Sequence, residues 1–119
     1  MSDTTFLFTD IEGSTKLWEQ FPAAMQAALA RHDAILRVCI TTNRGRVFKT
    51  VGDAFYAVFD DALGAIDAAI AMQRALVAET WDAIGAIKVR VAIHAGAAEE
   101  RDADYFGPTL NRVARILAV

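Results

Sequence analysis

Two short runs of β-branched and aromatic residues lie almost end to end in the middle of the chain, and they restrict the possible folds more than any other segment. The runs cover residues 46–50 and 54–59, and Val51-Gly52-Asp53 joins them. Runs of this composition around a glycine-containing turn are typical of a β-hairpin. The sequence therefore predicts an antiparallel pair of strands with an acidic side chain at its tip.

Amphipathic helices are predicted on both sides of the hairpin. Before it, apolar residues recur at steps of three and four from Phe21 to Ile40, which indicates a helix of about twenty residues ending near Asn43. His32 lies on that stripe and is interpreted as structural. After the hairpin, Asp60 and Asp61 favour a helix N-terminus. The predicted core-facing stripe of this second helix, which runs to about Glu79, is Leu63, Ile66, Ile70, Gln73 and Val77.

Two further strands are predicted, one before the first helix and one after the second. Residues 5–11 are aromatic and β-branched and run into a turn, after which Ser14 or Thr15 can cap a short helix over residues 16–20. Residues 87–94 alternate strictly, as expected of a strand with one wet face. His94 at its end is also interpreted as structural.

The resulting order is β-α-β-β-α-β, which predicts an α+β fold of the ferredoxin-like, or palm, type. Its two helices would cover one face of a four-stranded antiparallel sheet. In this topology the first strand lies beside the hairpin, so we expect Asp10 and Asp53 to converge.

The C-terminal part adds one more helix. Residues 96–104 are polar and acidic and are predicted to form an arm or loop, and Pro108 suits the first turn of a helix that runs through Leu117. Asn111 and Arg115 are four residues apart and project together beside an apolar stripe of Leu110, Val113 and Leu117.

Composition limits the class of protein. The 119 residues, 55% of them apolar with 24 alanines, predict one domain over residues 1–119. The net charge of −3 and the scattered basic residues argue against nucleic-acid binding.

Cys39 is the single cysteine, which predicts a buried thiol in a reducing compartment. No apolar run approaches the roughly 18 residues of a membrane span, so we expect a soluble, cytoplasmic protein.

The paired aspartates carry the main chemical signal. Two carboxylates at the ends of adjacent strands form a hard oxygen site of the kind Mg²⁺ or Mn²⁺ occupies while also holding substrate phosphates. The main-chain N–H groups of residues 11–15 can meet phosphate oxygens at the start of the following helix. From the residues alone, other interpretations stay open: the aspartates as turn residues, Lys49 on a solvent face, and Asn111 with Arg115 as a solvated face.

Three segments together resemble a known family. They are residues 8–15 (FTDIEGST), residues 48–55 (FKTVGDAF) and residues 104–111 (DYFGPTLN), followed by Arg115. In this order the segments resemble the class III nucleotidyl cyclase catalytic domain, particularly the bacterial, mycobacterial-type adenylyl cyclases. The resemblance runs from about Thr5 to the last residue.

The resemblance implies a role for each matching residue. Asp10, Asp53 and the main-chain carbonyl of Ile11 match ligands for two divalent ions, Mg²⁺ or Mn²⁺, which bind the triphosphate and activate the ribose 3′-hydroxyl. Lys49 and Asp104 match the pair that reads adenine. Guanylyl cyclases usually carry Glu at the lysine position, so this pair implies ATP as substrate.

The remaining positions complete the implied site. Asn111 matches the residue that orients the ribose, and Arg115 the residue that stabilises charge on the α-phosphate. The turn that binds phosphate covers Glu12, Gly13, Ser14 and Thr15. The resemblance implies conversion of ATP to cyclic AMP and pyrophosphate at sites shared between the two chains of a homodimer.

The match also departs from the family. Members continue after the last helix into further strands that supply a basic residue for the triphosphate, so the resemblance implies a domain that is incomplete at its C-terminal end. An alternative is a catalytically silent domain that binds nucleotide or a partner cyclase chain. A diguanylate cyclase or polymerase-like palm is disfavoured, since the sequence has no Gly-Gly-Asp/Glu-Glu-Phe hairpin.

Overall fold

The structure is a computed structural model that describes residues 3–118. Within these residues the secondary structure begins with β1 (Thr4–Ile11), α1 (Ser14–Gln20) and α2 (Pro22–Thr42). The hairpin β2 (Gly45–Val51) and β3 (Ala54–Phe59) and the helix α3 (Ala62–Ala78) follow. A 3₁₀ turn (Asp82–Ile84) then leads into β4 (Val89–Gly96), β5 (Glu99–Arg101), β6 (Asp104–Phe106) and α4 (Pro108–Leu117).

The main sheet has the strand order β2-β3-β1-β4, and every neighbouring pair is antiparallel. β1 is therefore central: Thr9 lies opposite Phe55 of β3, and Asp10 lies opposite Arg90 of β4. This arrangement confirms the predicted palm fold.

One face of the sheet is covered by α2 and α3. Apolar side chains from both helices pack with the inward residues of the strands, and the fully buried members include Leu7, Met25, Leu36 and Met72. His32 is also fully buried, with its ring edge-on to Phe55 at 5.7 Å. The predicted long helix and the structural position of His32 are confirmed.

The opposite face carries a second apolar cluster under α4. Phe6, Phe8, Val58, Ala92 and Val113 are its buried members, and Leu110 and Leu117 pack against them. This packing confirms the predicted apolar stripe of α4. The sheet therefore has a helix-covered face, which lies under α2 and α3, and an opposite face that α4 covers only in part and that also presents polar side chains of β1 and β4.

The predicted stripe of α3 is wrong. Leu63, Ile66, Ile70 and Val77 are exposed, and the buried residues of the helix are Gly64, Ala65, Ala68, Met72 and Leu76. The first turn of α3 lies close to its neighbours, since a Cβ on Gly64 would lie only 2.8 Å from the Asn43 carbonyl oxygen. Small residues therefore line the buried side there, and Met72 and Leu76 fill it farther along the helix.

Two other expectations are corrected. The expected arm or loop over residues 96–104 contains regular structure that was not predicted, since β5 and β6 pair as a separate two-stranded sheet. The short helix α1 has Gly13 as its N-cap residue and no side-chain capping bond, so neither Ser14 nor Thr15 caps it.

Cys39 is buried as expected, and burial raises the pKa of its thiol. No helix within residues 3–118 has the length and apolarity to cross a membrane.

Candidate active site

The two aspartates meet at one edge of the exposed sheet face. Asp10 lies near the end of β1, and Asp53 lies in the turn between β2 and β3. The Ile11 N–H donates a hydrogen bond of 3.2 Å to Asp53 Oδ1, which ties the turn to the end of β1. Gly52 has a φ of +58°, so the turn needs a residue that tolerates the left-handed region. The predicted convergence is confirmed.

Arg90 is a part of this site that the sequence patterns did not reveal. Its Nε donates to Asp10 Oδ1 at 2.8 Å and its Nη2 donates to Oδ2 at 2.6 Å, a bidentate pair. The hydrogen bond with Asp10 is the main reason that the pKa of Arg90 is raised, and the charges of Glu12 and Asp53 add to it. The guanidinium thus offsets part of the charge of three neighbouring carboxylates.

The sequence shows Arg90 in an alternating strand, but recognising it as a neighbour of Asp10 requires the register between β1 and β4. Arg90 lies on the wet face of the alternating strand, like any solvated residue. Only the antiparallel pairing of β1 with β4 places it opposite Asp10.

The carboxylates fit a divalent cation in donor type and charge. Within residues 3–118, however, there is no group of three or more His, Cys, Asp or Glu side chains disposed to hold a metal ion. Asp10 and Asp53 would therefore supply two carboxylates, and substrate phosphates and water would complete the coordination shell. Since both oxygens of Asp10 accept hydrogen bonds from Arg90, the guanidinium competes with such a cation for this carboxylate.

The turn after β1 offers fewer donors than predicted. The Ile11 N–H is used by Asp53, and the Glu12 N–H donates to the Lys88 carbonyl at 2.8 Å. Phosphate contacts from these two N–H groups are therefore not available. Gly13, at φ +66°, turns the chain into α1. The N–H groups of Ser14 and Thr15 precede the first intrahelical bond and remain open.

A second pair of predicted residues meets on the same sheet face, near β2. Lys49 Nζ lies 2.6 Å from Asp104 Oδ2 at the start of β6. The hydrogen bond from Lys49 is the main reason that the pKa of Asp104 lies below its ordinary value of 3.8, and the Tyr105 N–H also donates to this carboxylate, at 2.7 Å. The donor and the acceptor are therefore held side by side.

The β5–β6 hairpin brings Asp104 to Lys49. Tyr105 packs edge-on against Phe6 and Phe48, with ring centroids 5.3 and 4.9 Å away. Its hydroxyl accepts a hydrogen bond of 2.8 Å from Arg46 Nη2, and Arg46 also pairs with Glu100. These contacts fasten the hairpin to the sheet face.

Asn111 and Arg115 are not brought to either pair. Both side chains are exposed on α4, and neither forms a hydrogen bond or ion pair with another residue of the described chain. Arg115, together with Arg112, borders an open groove beside half-buried His94. Buried Val113 fixes the helix face that presents Asn111 and Arg115 outward.

Comparison with known proteins shows the family to which the chain belongs. Over residues 1–119 the chain matches the family described as the adenylate and guanylate cyclase catalytic domain. The chain belongs to this family. Among solved structures, an adenylate cyclase from Trypanosoma brucei in its monomeric state matches this cyclase domain with a TM-score of 0.91 and 27% sequence identity, covering 100% of this chain and 70% of that chain.

Two relatives by sequence show how far the match extends. The cyclase domain is 37% identical over 114 residues to an uncharacterized protein of Mycobacterium tuberculosis, which covers 94% of this chain and 38% of the relative. It is 33% identical over 137 residues to an adenylate cyclase of Podospora anserina, covering 94% of this chain and 6% of that protein. The chain thus spans well under half the length of these relatives.

Proposed function

We propose that the cyclase domain converts ATP to 3′,5′-cyclic AMP and pyrophosphate at two sites shared between the chains of a homodimer. The observation that carries the proposal is that two groups of polar side chains lie apart from each other on one sheet face. Asp10 and Asp53 converge at one edge, and Lys49 and Asp104 are paired near β2. Family membership supports a cyclase reaction, and these side chains support ATP as the nucleotide.

The Lys49–Asp104 pair supports adenine by its hydrogen-bonding pattern. Adenine presents an acceptor at N1 and a donor at its 6-amino group, and guanine presents the reverse at these positions. Lys49 donates to N1 and Asp104 accepts from the 6-amino group. A guanine in the same pose would place like groups together, which specificity by hydrogen bonding strongly disfavours.

Asp10 and Asp53 would hold Mg²⁺ or Mn²⁺, with the Ile11 carbonyl as a further ligand. When bound, the divalent ions would neutralise triphosphate charge and promote ionisation of the ribose 3′-hydroxyl. The open N–H groups of Ser14 and Thr15 bind phosphate oxygens. Arg90, once released from Asp10, remains beside the same phosphates as a countercharge.

Asn111 and Arg115 act on the site of the other chain. Asn111 orients the ribose, and the Arg115 guanidinium stabilises negative charge on the α-phosphate as the 3′-oxygen attacks in line. Their exposure on α4 and their lack of partners within the described chain support a role across a two-fold interface. The reaction needs no nucleophile from the protein, because the ribose 3′-oxygen is the attacking group.

Product analysis tests the reaction. Concentrated protein with Mn²⁺ and ATP should form cyclic AMP, and GTP should be a poor substrate. Asp53→Ala should abolish product and Lys49→Glu should severely reduce it, while Glu19→Arg at an exposed site on α1 should leave it unchanged. Absence of cyclic AMP from a demonstrated dimer would refute the enzyme proposal.

Mixing inactive variants tests whether the site is shared. A mixture of Asp53→Ala and Arg115→Ala chains forms mixed dimers with one intact site, and random pairing predicts recovery of about a quarter of the parent activity. A site built within one chain would give no recovery.

The second candidate is a nucleotide-binding domain without turnover. The bidentate contact of Arg90 with Asp10 favours it, because that contact competes with a cation. ATP binding measured by calorimetry, together with no product at any Mn²⁺ concentration, would support this candidate.

A further inference from the structure

The outer face of α3 carries an apolar stripe that the fold leaves uncovered. Leu63, Ile66, Ile70 and Val77 are 62%, 46%, 46% and 86% exposed. Their spacing of three, four and seven residues places them in one line along the helix, directly opposite the buried Ala68 and Met72. A continuous line of large apolar side chains on a surface helix is typical of a helix-pairing seam.

Charged residues beside the stripe indicate what covers it. Asp67 and Arg74 lie on the same flank of the helix, both are exposed, and neither forms an ion pair with another residue of the described chain. Asp67 precedes Ile70 by three residues and Arg74 follows it by four. The two opposite charges are thus placed almost symmetrically about the middle of the stripe.

This symmetry matches an antiparallel second copy of the same helix. In an antiparallel pair, residues on the same flank face each other, so Asp67 of each copy meets Arg74 of the other. In a parallel pair that flank would face the opposite one, which carries Ala62, Ala69 and Gln73. The alanines allow close approach of the two helices, and none of the three residues offers a charge.

We propose that α3 is an interface at which two copies of this chain pair antiparallel, with a two-fold axis near Ile70. The seam lies on the opposite side of the sheet from the aspartates and Lys49, so it is separate from the proposed shared active site. A molecule with two independent two-fold interfaces assembles beyond the dimer. The inference does not depend on cyclase activity.

The seam is short, which sets the strength of pairing. The 17 residues of α3 extend about 25 Å. An interface of this size falls below the area of stable complexes, so we expect concentration-dependent association and not a permanent dimer.

Charge reversal tests the orientation of the pair by sedimentation equilibrium. Asp67→Arg and Arg74→Asp should each weaken association through α3 by about tenfold or more, because each places like charges together. The double variant restores opposite charges and should recover the parent association. Glu19→Arg, which makes the same charge change on exposed α1, is the control. Single variants without effect, or a double variant that fails to recover, would overturn the proposal.

Cross-linking tests the register without relying on affinity. Ile70→Cys places a thiol beside its own copy at the axis, so a short bismaleimide should link the chains. Val77→Cys places the two thiols about 21 Å apart, beyond that reagent, and should not link. The parent chain, with buried Cys39, is the control. No link through position 70, or equal links through both positions, would refute antiparallel pairing and leave the stripe to a different partner.

Discussion

Gly96 lies where β4 passes under the first turn of α4, and its substitution gives the sharpest test of how the fold positions Arg115. A Cβ at position 96 would lie 2.5 Å from Thr109 Oγ1 and 2.9 Å from Thr109 Cγ2. Thr109 is buried, and its hydroxyl donates a 2.6 Å hydrogen bond to the Ala97 carbonyl. The methyl group of Gly96→Ala therefore has no space in the native arrangement.

The geometry sets the size of the effect. Ordinary contact begins at 3.4 Å, so Thr109 must move by about 0.9 Å or rotate away from Ala97. Overpacking of this kind costs about 1–3 kcal/mol, and loss of a hydrogen bond costs about 1 kcal/mol. We expect Gly96→Ala to lower the free energy of unfolding by about 1–3 kcal/mol. On the proposed role of Arg115, displacement of α4 by about 1 Å should reduce cyclic AMP formation by about 100-fold.

Urea unfolding followed by circular dichroism measures the stability, and cyclic AMP formation measures the activity. Thr109→Ala removes both clashing atoms and leaves only Cβ, at 3.3 Å. In the double variant the cost of Gly96→Ala should therefore largely disappear. Ala95→Val, at the exposed neighbouring position, is the matched control and should change stability by less than about 0.5 kcal/mol.

Two results would refute this reasoning. One is a Gly96→Ala protein as stable and as active as the parent. The other is a cost that Thr109→Ala does not relieve, because the two substitutions would then be independent and the contact between them unimportant.

Three further predictions address the pairs and the core. The lowered pKa of Asp104 means that its contribution to stability is present above the ordinary carboxyl range and is lost as the pH falls through that lowered value. Lys49→Met should raise this pKa toward 3.8, measured by carboxyl ¹³C NMR, and an unchanged titration would contradict the pairing. Folded protein should react far more slowly at Cys39 with a thiol reagent than unfolded protein, since burial raises the pKa of the thiol. Met72→Ala should cost about 2–5 kcal/mol of unfolding free energy and exposed Val77→Ala under about 0.5 in dilute solution, and equal costs would contradict the observed faces of α3.

The order of helices and strands could be predicted because each run has its own period and turn residues. The hairpin, the long helix α2 and the helix α4 all lie where their sequence patterns indicate. The face of α3 could not be predicted by the same rule, because periodicity identifies a line of large residues without the distance to the neighbouring layer. At the first turn of α3 that distance is short, so Gly64 faces inward, while Met72 and Leu76 fill the buried side farther along and Ile70 stays outside.

The candidate site also contains residues that could be predicted from the sequence and residues that could not. Asp10 and Asp53 could be predicted to meet from topology alone, since each ends a strand of the pattern. Arg90 could not, because its role depends on which residue of β1 it faces. The β5–β6 hairpin was also missed, since three-residue strands leave almost no periodic signal and this hairpin is held by Tyr105 and Arg46 against the sheet.

Lys49 shows most clearly how a local irregularity in a strand determines the face on which a side chain lies. Val47 lies opposite Ala57 and Lys49 lies opposite Tyr56, so the register shifts at Phe48. With strict alternation, Lys49 would share the helix-covered face with Val47. The bulge instead allows Phe48 to pack against Tyr105 while Lys49 reaches Asp104 on the same face. Since one inserted residue places both the aromatic contact and the ion pair, the proposed adenine-reading pair depends on the bulge as much as on the identities of Lys49 and Asp104.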